Sequence, residues 1–424
     1  MSIETRPRVA IVGGGIAGIS AAWQLQRTHD VTLYEAAPSL GGHAHAIEAA
    51  PGVWLDTGFV IFNTGTYPLF LNFLDELGVR TQAREMRMSF CFSDADRDLH
   101  YAVHNGIRAL LDRGRNLLRP DFYRLAADLL GFRRRATAQL SSGRIPAQTL
   151  SAYLAAYSAP FRENFLIPMA MAIWSLPDEQ LEAFPARTLL EFMQNHSLLH
   201  PPAGDHDDTW LSFSASSRVY LQAFASRFQG ETRLNSPIAR IERSSNEVRI
   251  IRPDGSIETY DQAVIATHAD TALKLLAEPT ALERRLLGAW RYQANQVTIH
   301  TDATVMPARR HLWSSWNICR ADGRYRVSYH LNQVHNLSLE QDYFLSLGDD
   351  PIAEDRVIAR CDYAHPVFDF AAIATRDELP DLNQARIAFC GSYFGYGFHE
   401  DAFRAGIRAS AALQGLPLIV RQQT

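Results

Sequence analysis

The chain has 424 residues, a formal net charge of −5, 47% hydrophobic residues and four cysteines. That length suits about two to three domains and a large enclosed ligand, and the mildly acidic balance gives no reason to expect nucleic acid as a partner. Cys91, Cys319, Cys361 and Cys390 are scattered without a C-x-x-C pair, which predicts buried thiols in a reducing compartment and no metal centre.

At the start, MSIETRPRVAIVGGGIAGIS, Arg6 and Arg8 precede an apolar run. The run is short and turns glycine-rich, so a leader peptide is not expected. No stretch reaches the roughly 18 apolar residues of a membrane span, and a cytoplasmic protein is the expectation. Arg8 to Val12 is predicted to be a strand and Ile16 to Arg27 a helix; VTLYEA is a second strand ending on Glu35. Between strand and helix lie Gly13, Gly14, Gly15, Ile16, Ala17 and Gly18, a G-x-G-x-x-G turn. Its glycines let backbone approach a pyrophosphate at the helix N-terminus, where unpaired N–H groups and the dipole favour an anion. Glu35, followed by Ala36, would accept hydrogen bonds from ribose hydroxyls. To this point NAD and FAD are both open.

Downstream, APSLGGHAHA supplies Gly41, Gly42 and His43, and GVWLDTGFVIFN supplies Asp56, Thr57, Gly58 and Phe59. A second glycine pair returning to the first loop favours the larger cofactor, FAD. Taken singly, each pair reads as an ordinary β-turn. From Tyr101 to Arg144 nine arginines face three aspartates, interleaved with leucines. This is either a solvated basic helix or a surface for anionic lipid or an acyl carrier. The segment RLNSPIARIERSSNEVRIIRPDGSIETYDQAVIATHA reads as strands with a hairpin at Asp254-Gly255, its end at Ala266 returning to the cofactor domain. QVTIHTD and RYRVSYHLN follow as strands. Last comes FCGSYFGYGFHEDAFRAGIRA, in which glycines and aromatic rings precede Glu400, Asp401 and a helical run.

The N-terminal unit resembles the FAD-dependent amine oxidase and phytoene desaturase superfamily. LDTGFVIFN, TYP, IPMAMAIWSLP, NHSLL, MPARRHLWSSWN, YHLNQVHNL, AHPV and CGSYFGYGFHEDAFRAG together resemble a bacterial flavoprotein family related to the N-terminal flavin domain of plant cyclopropane fatty acid synthases. The resemblance implies an α/β fold: a discontinuous Rossmann-type, glutathione reductase-like FAD-binding domain (1–84, 211–286, 377–424). An α+β substrate domain is inserted into it, helical over 85–210 and sheet-forming over 287–376. It also implies that Ile238 offers its backbone to the adenine and that Gly391 and Ser392 lie near the ribityl and phosphate groups. The helix starting around Gly397, Phe398 and His399 would aim its N-terminus at the flavin N1 edge. Ser39 and His43 stand where the superfamily usually carries arginines, and SASSRVY replaces a glycine pair before Arg218 and Tyr220.

His399 and Tyr396 are the candidate catalytic residues, with His43, His45, His330 and His365 as alternatives. Trp174, Trp313 and Trp316 are either core or the lining of an apolar tunnel. Lys274 is the chain's single lysine. It falls on a helix of the cofactor domain, so the lysine that many amine oxidases carry in the substrate sheet has no counterpart. The resemblance therefore implies FAD-dependent dehydrogenation of an apolar or lipid-like acyl substrate. Amine oxidation, fatty acid isomerisation or hydration, and a non-catalytic partnership with a lipid methyltransferase are the alternatives. The expected location is the cytoplasm, with peripheral contact at the inner membrane face through 101–144.

Overall fold

A computed structural model describes residues 6–103, 107–145, 147–174, 183–195, 198–199, 209–384 and 386–416. Four parts of the stretches quoted above lie outside these residues: Met1 to Thr5 of the opening segment, Ser175 to Pro177 of IPMAMAIWSLP, His196 and Ser197 of NHSLL, and His104 to Gly106 of the basic stretch.

Five parallel strands form the first sheet, in the order Glu231–Arg233, Asp30–Tyr34, Arg8–Val12, Gln262–Ile265, Ile387–Phe389. The strands thus come from both ends of the chain and from its middle. Apolar residues alternate between two cores, as the two-residue period of a strand demands. Val9, Ile11, Val31 and Leu33 pack on one side with the helices Ile16–Leu25 and His399–Leu413. Ala10, Val12 and Tyr34 pack on the other with Ile241, Val248 and Ile250 of a three-stranded antiparallel meander. The predicted hairpin at Asp254-Gly255 joins the last two strands of that meander, with Gly255 at φ +82°. The two helices press together closely enough that a Cβ on Gly406 would sit 1.9 Å from Ser20 Oγ, and Ser20 Oγ donates to the Phe403 carbonyl at 2.9 Å. The first helix stops at Leu25 and not at Arg27 as expected, because the Thr28 and His29 amides both close on the Leu25 carbonyl and turn the chain into the next strand.

A seven-stranded sheet runs Val357–Pro366, Tyr292–His300, Phe344–Leu347, Arg324–His330, Trp316–Ala321, Phe90–Asp94, Leu99–Val103. Every pairing in it is antiparallel except that of Trp316–Ala321 with Phe90–Asp94. The region expected to be helix-rich therefore contributes two strands as well as the helices Pro120–Ser142, Ile167–Trp174 and Ala186–Asn195. Phe92 and Tyr101 on this sheet pack with Phe132, Phe161 and Phe165 under those helices. No described helix is long and apolar enough to cross a membrane. Of the four thiols, Cys91 and Cys390 are buried, whereas Cys319 and Cys361 are only partly so.

Candidate active site

The two glycine loops meet. The Gly41 amide donates to the Gly14 carbonyl at 2.9 Å, and a Cβ on Gly42 would lie 3.2 Å from Gly15 Cα. Gly18 is needed for helix and strand to pack, since a Cβ there would fall 1.9 Å from the Gly13 carbonyl oxygen. Gly15 is different. It is the N-cap of the helix, no side chain caps that end, and a Cβ built on it meets no atom within 4 Å. An uncapped helix N-terminus opening onto a glycine-walled gap fits the pyrophosphate of a dinucleotide. Glu35 ties the second strand to this loop: Oε2 accepts from the Gly14 amide at 2.7 Å and Oε1 from the Ala37 amide at 2.8 Å. The Asn235 and Ser236 amides donate to the Ala37 and Glu35 carbonyls, which lays the segment leading to Ile238 beside Glu35 and exposed Ala36. The Ala266 amide donates to the Val12 carbonyl, next to Gly13.

The second loop leads to a group of rings. The His43 carbonyl accepts from the Phe59 amide at 2.8 Å, and a Cβ on Gly58 would lie 2.3 Å from that same oxygen. The His43 ring stacks on Tyr363 and His365, centroids 4.9 and 5.2 Å away. His268 stacks on Tyr292 at 4.3 Å. Thr57 Oγ1 bonds to the Tyr363 hydroxyl and to His45 Nδ1, and Asn295 Nδ2 lies 2.6 Å from His365 Nδ1. Burial pushes His43 down to about 3 and His365 to about 4, and holds His268 and His45 below the ordinary range. At neutral pH these imidazoles are uncharged and weakly basic. His43 Nε2 is buried with no partner among the described residues.

In the last segment the acidic pair divides its work. Asp401 accepts from the Tyr396 and Phe398 amides at 3.0 and 3.1 Å, folding the glycine-rich loop over its own helix. Glu400 accepts from the Leu69 and Phe70 amides, both at 3.0 Å, and so caps the helix Pro68–Glu76. The Ser392 carbonyl accepts from the Gly395 and Gly397 amides, and Gly391 precedes it at the end of the fifth parallel strand.

Of the two candidate catalytic residues, His399 has its ring stacked on Phe59 at 3.7 Å, and its Nε2 lies 3.2 Å from the Tyr220 hydroxyl; burial lowers it to about 3. Tyr396 donates to Glu191 Oε2 at 3.0 Å beneath Arg376, and burial pushes its ionisation up to about 12. Phe398 stacks on Phe192 at 4.8 Å, and Trp174 packs on Phe184 and Phe192 at 5.0 and 4.9 Å. His330 pairs with Asp342 and stacks on Phe344, Trp316 packs on Tyr329, and Trp313 packs against Phe344. Lys274 is exposed and paired with Asp270.

Sequence reasoning missed Asn295, Tyr363, His268 and Tyr292. The one available signal was the alternation of Tyr363 and His365, which places both on one face of a strand. The departure at SASSRVY also finds its reason. Ser216 takes up φ +66°, a backbone shape that glycine ordinarily supplies, while the Ser217 amide and hydroxyl donate to buried Asp56 at 2.8 and 2.6 Å.

Known proteins resemble this chain in sequence and in fold. One segment is 34% identical over 137 residues to tryptophan 2-monooxygenase of Pantoea agglomerans pv. gypsophilae, covering 26% of this chain and 23% of that protein. Another is 33% identical over 114 residues to 15-cis-phytoene desaturase of Synechococcus elongatus, 24% of each. These matches span about a quarter of the length of those relatives. The fold of a CLA-producing fatty acid isomerase from P. acnes superposes with a TM-score of 0.63 at 15% identity, covering 96% of this chain and 98% of that one. The sequence profile of flavin-containing amine oxidoreductases matches residues 16–320; with the paired glycine loops shaped for FAD, the chain belongs to that family.

Proposed function

We propose that this protein is an FAD-dependent oxidoreductase that dehydrogenates an apolar, lipid-like acyl substrate. One observation supports the substrate class: Phe398, partly exposed at the start of the helix His399–Leu413, is backed by the buried core rings of Phe192, Trp174 and Phe184, so this helix start is apolar. Hydrocarbon gains from covering such a surface, and a charged substrate is offered nothing there in return for its lost hydration. Glu191, adjacent to Phe192 in the chain, is already engaged by Arg187, Arg376 and the Tyr396 hydroxyl, and Asp401 by the Tyr396 and Phe398 amides. The neutral histidine group likewise asks no charge of the substrate. When bound, FAD supplies the acceptor for the electron pair. The residues that would hold it are the Gly13–Gly18 loop, Glu35, Gly41 to His43, Thr57 to Phe59, Ile238, Ala266, Gly391, Ser392 and the Gly397–His399 helix start.

Amine oxidation is the second reading, favoured by the similarity to tryptophan 2-monooxygenase. The fold itself selects neither. The test is anaerobic stopped-flow absorbance of the FAD-loaded protein against saturated and unsaturated acyl lipids and against primary and secondary amines. Bleaching of the oxidised flavin band by acyl lipids alone is expected; bleaching by amines alone would replace the proposal with the second reading. Conversion of an unsaturated lipid without bleaching would sink both in favour of isomerisation or hydration.

A further inference from the structure

We propose that the arginine-rich face of residues 108–144 is a docking surface for an anionic lipid bilayer. The helix Pro120–Ser142 buries Leu125, Phe132 and Ala136 against the substrate sheet. Its opposite stripe is expected to be polar if the helix is merely solvated. Instead Tyr123, Ala127 and Leu130 are exposed along one line, spaced four and three residues apart, before the line ends in Arg134. Leu117 and Leu118 stand next to this stripe, held there by the Tyr123 hydroxyl donating to the Leu117 carbonyl at 2.9 Å.

Leu118 is 88% exposed and Leu130 is 58% exposed. Of the nine exposed large hydrophobic side chains among the described residues, four fall between 117 and 130. That concentration marks a contact surface, since solitary exposed leucines need no explanation and a cluster does.

Charge surrounds the apolar stripe. Arg113, Arg115, Arg134 and Arg144 are exposed and have no acidic partner among the described residues. Arg113 and Gly114 both have positive φ, so the chain bends sharply between Asp112 and Arg115. A surface cavity of about 660 Å³ opens beside Leu118, lined by Arg97, Arg115, Arg119 and Arg309 against Asp98 and Asp121. Arg119 and Arg309 neutralise Asp98, which leaves Arg115 free to meet a phosphate at the edge of the apolar stripe. Leucines and a tyrosine at headgroup depth, ringed by arginines, are the composition of an interfacial membrane contact. A protein partner would need acids and apolar residues interleaved in matching register; a bilayer with anionic headgroups supplies both chemistries without register.

Flotation of the FAD-loaded protein with phosphatidylcholine vesicles, with and without phosphatidylglycerol, tests the proposal. Binding only to vesicles containing phosphatidylglycerol, lost at high salt, is expected. Leu118→Asp with Leu130→Asp, and separately Arg113→Glu with Arg115→Glu, should each weaken that binding by at least about tenfold while flavin content stays unchanged. No flotation at low salt, or flotation equal in both variants and wild type, overturns it. So does sedimentation showing a wild-type oligomer that the leucine variant breaks into monomers, since the face would then join copies of this chain. Wild-type binding and its salt dependence are read without any variant, so a misfolded variant cannot rescue or hide the result.

Discussion

Glu400, in the first turn of the last helix, accepts the Phe70 amide at 3.0 Å across 330 positions of chain. A second bond from Leu69 makes the contact a two-point cap on the helix Pro68–Glu76, whose own N-cap, Tyr67, supplies none. Because both ends are buried, truncation leaves two amides without acceptors. Glu400→Ala should cost about 3 kcal/mol and Glu400→Gln about 1 kcal/mol, since glutamine keeps one acceptor. Urea unfolding of the FAD-loaded protein measures this; equal losses in the two variants would mean that the cap contributes nothing.

Gly15 and Gly18 should fail in opposite ways. A Cβ on Gly18 strikes the Gly13 carbonyl, whereas one on Gly15 enters open space beside an uncapped helix end. Gly18→Ala should therefore lower stability by about 1–3 kcal/mol with or without cofactor. Gly15→Ala should cost the flavin-free protein no more than about 1 kcal/mol, the penalty of an alanine at an N-cap, yet sharply weaken flavin binding. If Gly15→Ala retained flavin at wild-type affinity, the pyrophosphate assignment would be wrong.

These glycine positions also show why part of the molecule was legible in advance. Close backbone approach admits no side chain, so Gly13, Gly18, Gly41 and Gly42 had to appear as glycines, and the apolar strand runs had to alternate toward two cores. The partners of Glu400, Asp56 and His365 carried no such mark. Each is met by a residue more than fifty positions away in a strand or helix start whose own sequence looks ordinary, and only tertiary packing selects it. His399 illustrates the limit: its place beside acidic and glycine residues reads as reactive, yet its ring is stacked on Phe59 within the aromatic core.

Asp56 should make stability depend on pH. It is buried, and desolvation pushes it up to about 7 from 3.8, against the opposing bonds from Ser217. The folded state therefore holds a proton that the unfolded chain releases. This contribution is complete below about pH 4 and is lost as pH rises through 7. Asp56→Asn keeps an acceptor for Ser217 but never ionises. It should match wild type below about pH 4 and exceed it by about 4 kcal/mol at pH 8. Glu400, pushed up to about 7 as well, titrates in the same window and leaves a residual slope in the single variant. An asparagine variant weaker than wild type at pH 8 would show that Asp56 works as a carboxylate.

His43 offers the sharpest reading of the cofactor gap. Its Nε2 is buried and has no hydrogen-bond partner among the described residues. Such an atom costs stability in the flavin-free protein and regains it when a polar partner arrives. His43→Phe keeps a planar ring for Tyr363 and His365 to stack on and removes the unpartnered polar atom. The flavin-free variant should unfold at the same temperature as wild type or higher, while its FAD dissociation constant rises by about tenfold, the worth of one hydrogen bond. Thermal unfolding without cofactor and fluorescence titration with it separate the two effects. A variant that loses stability and keeps its affinity would place Nε2 against the protein alone, and the gap beside Gly42 would need another occupant.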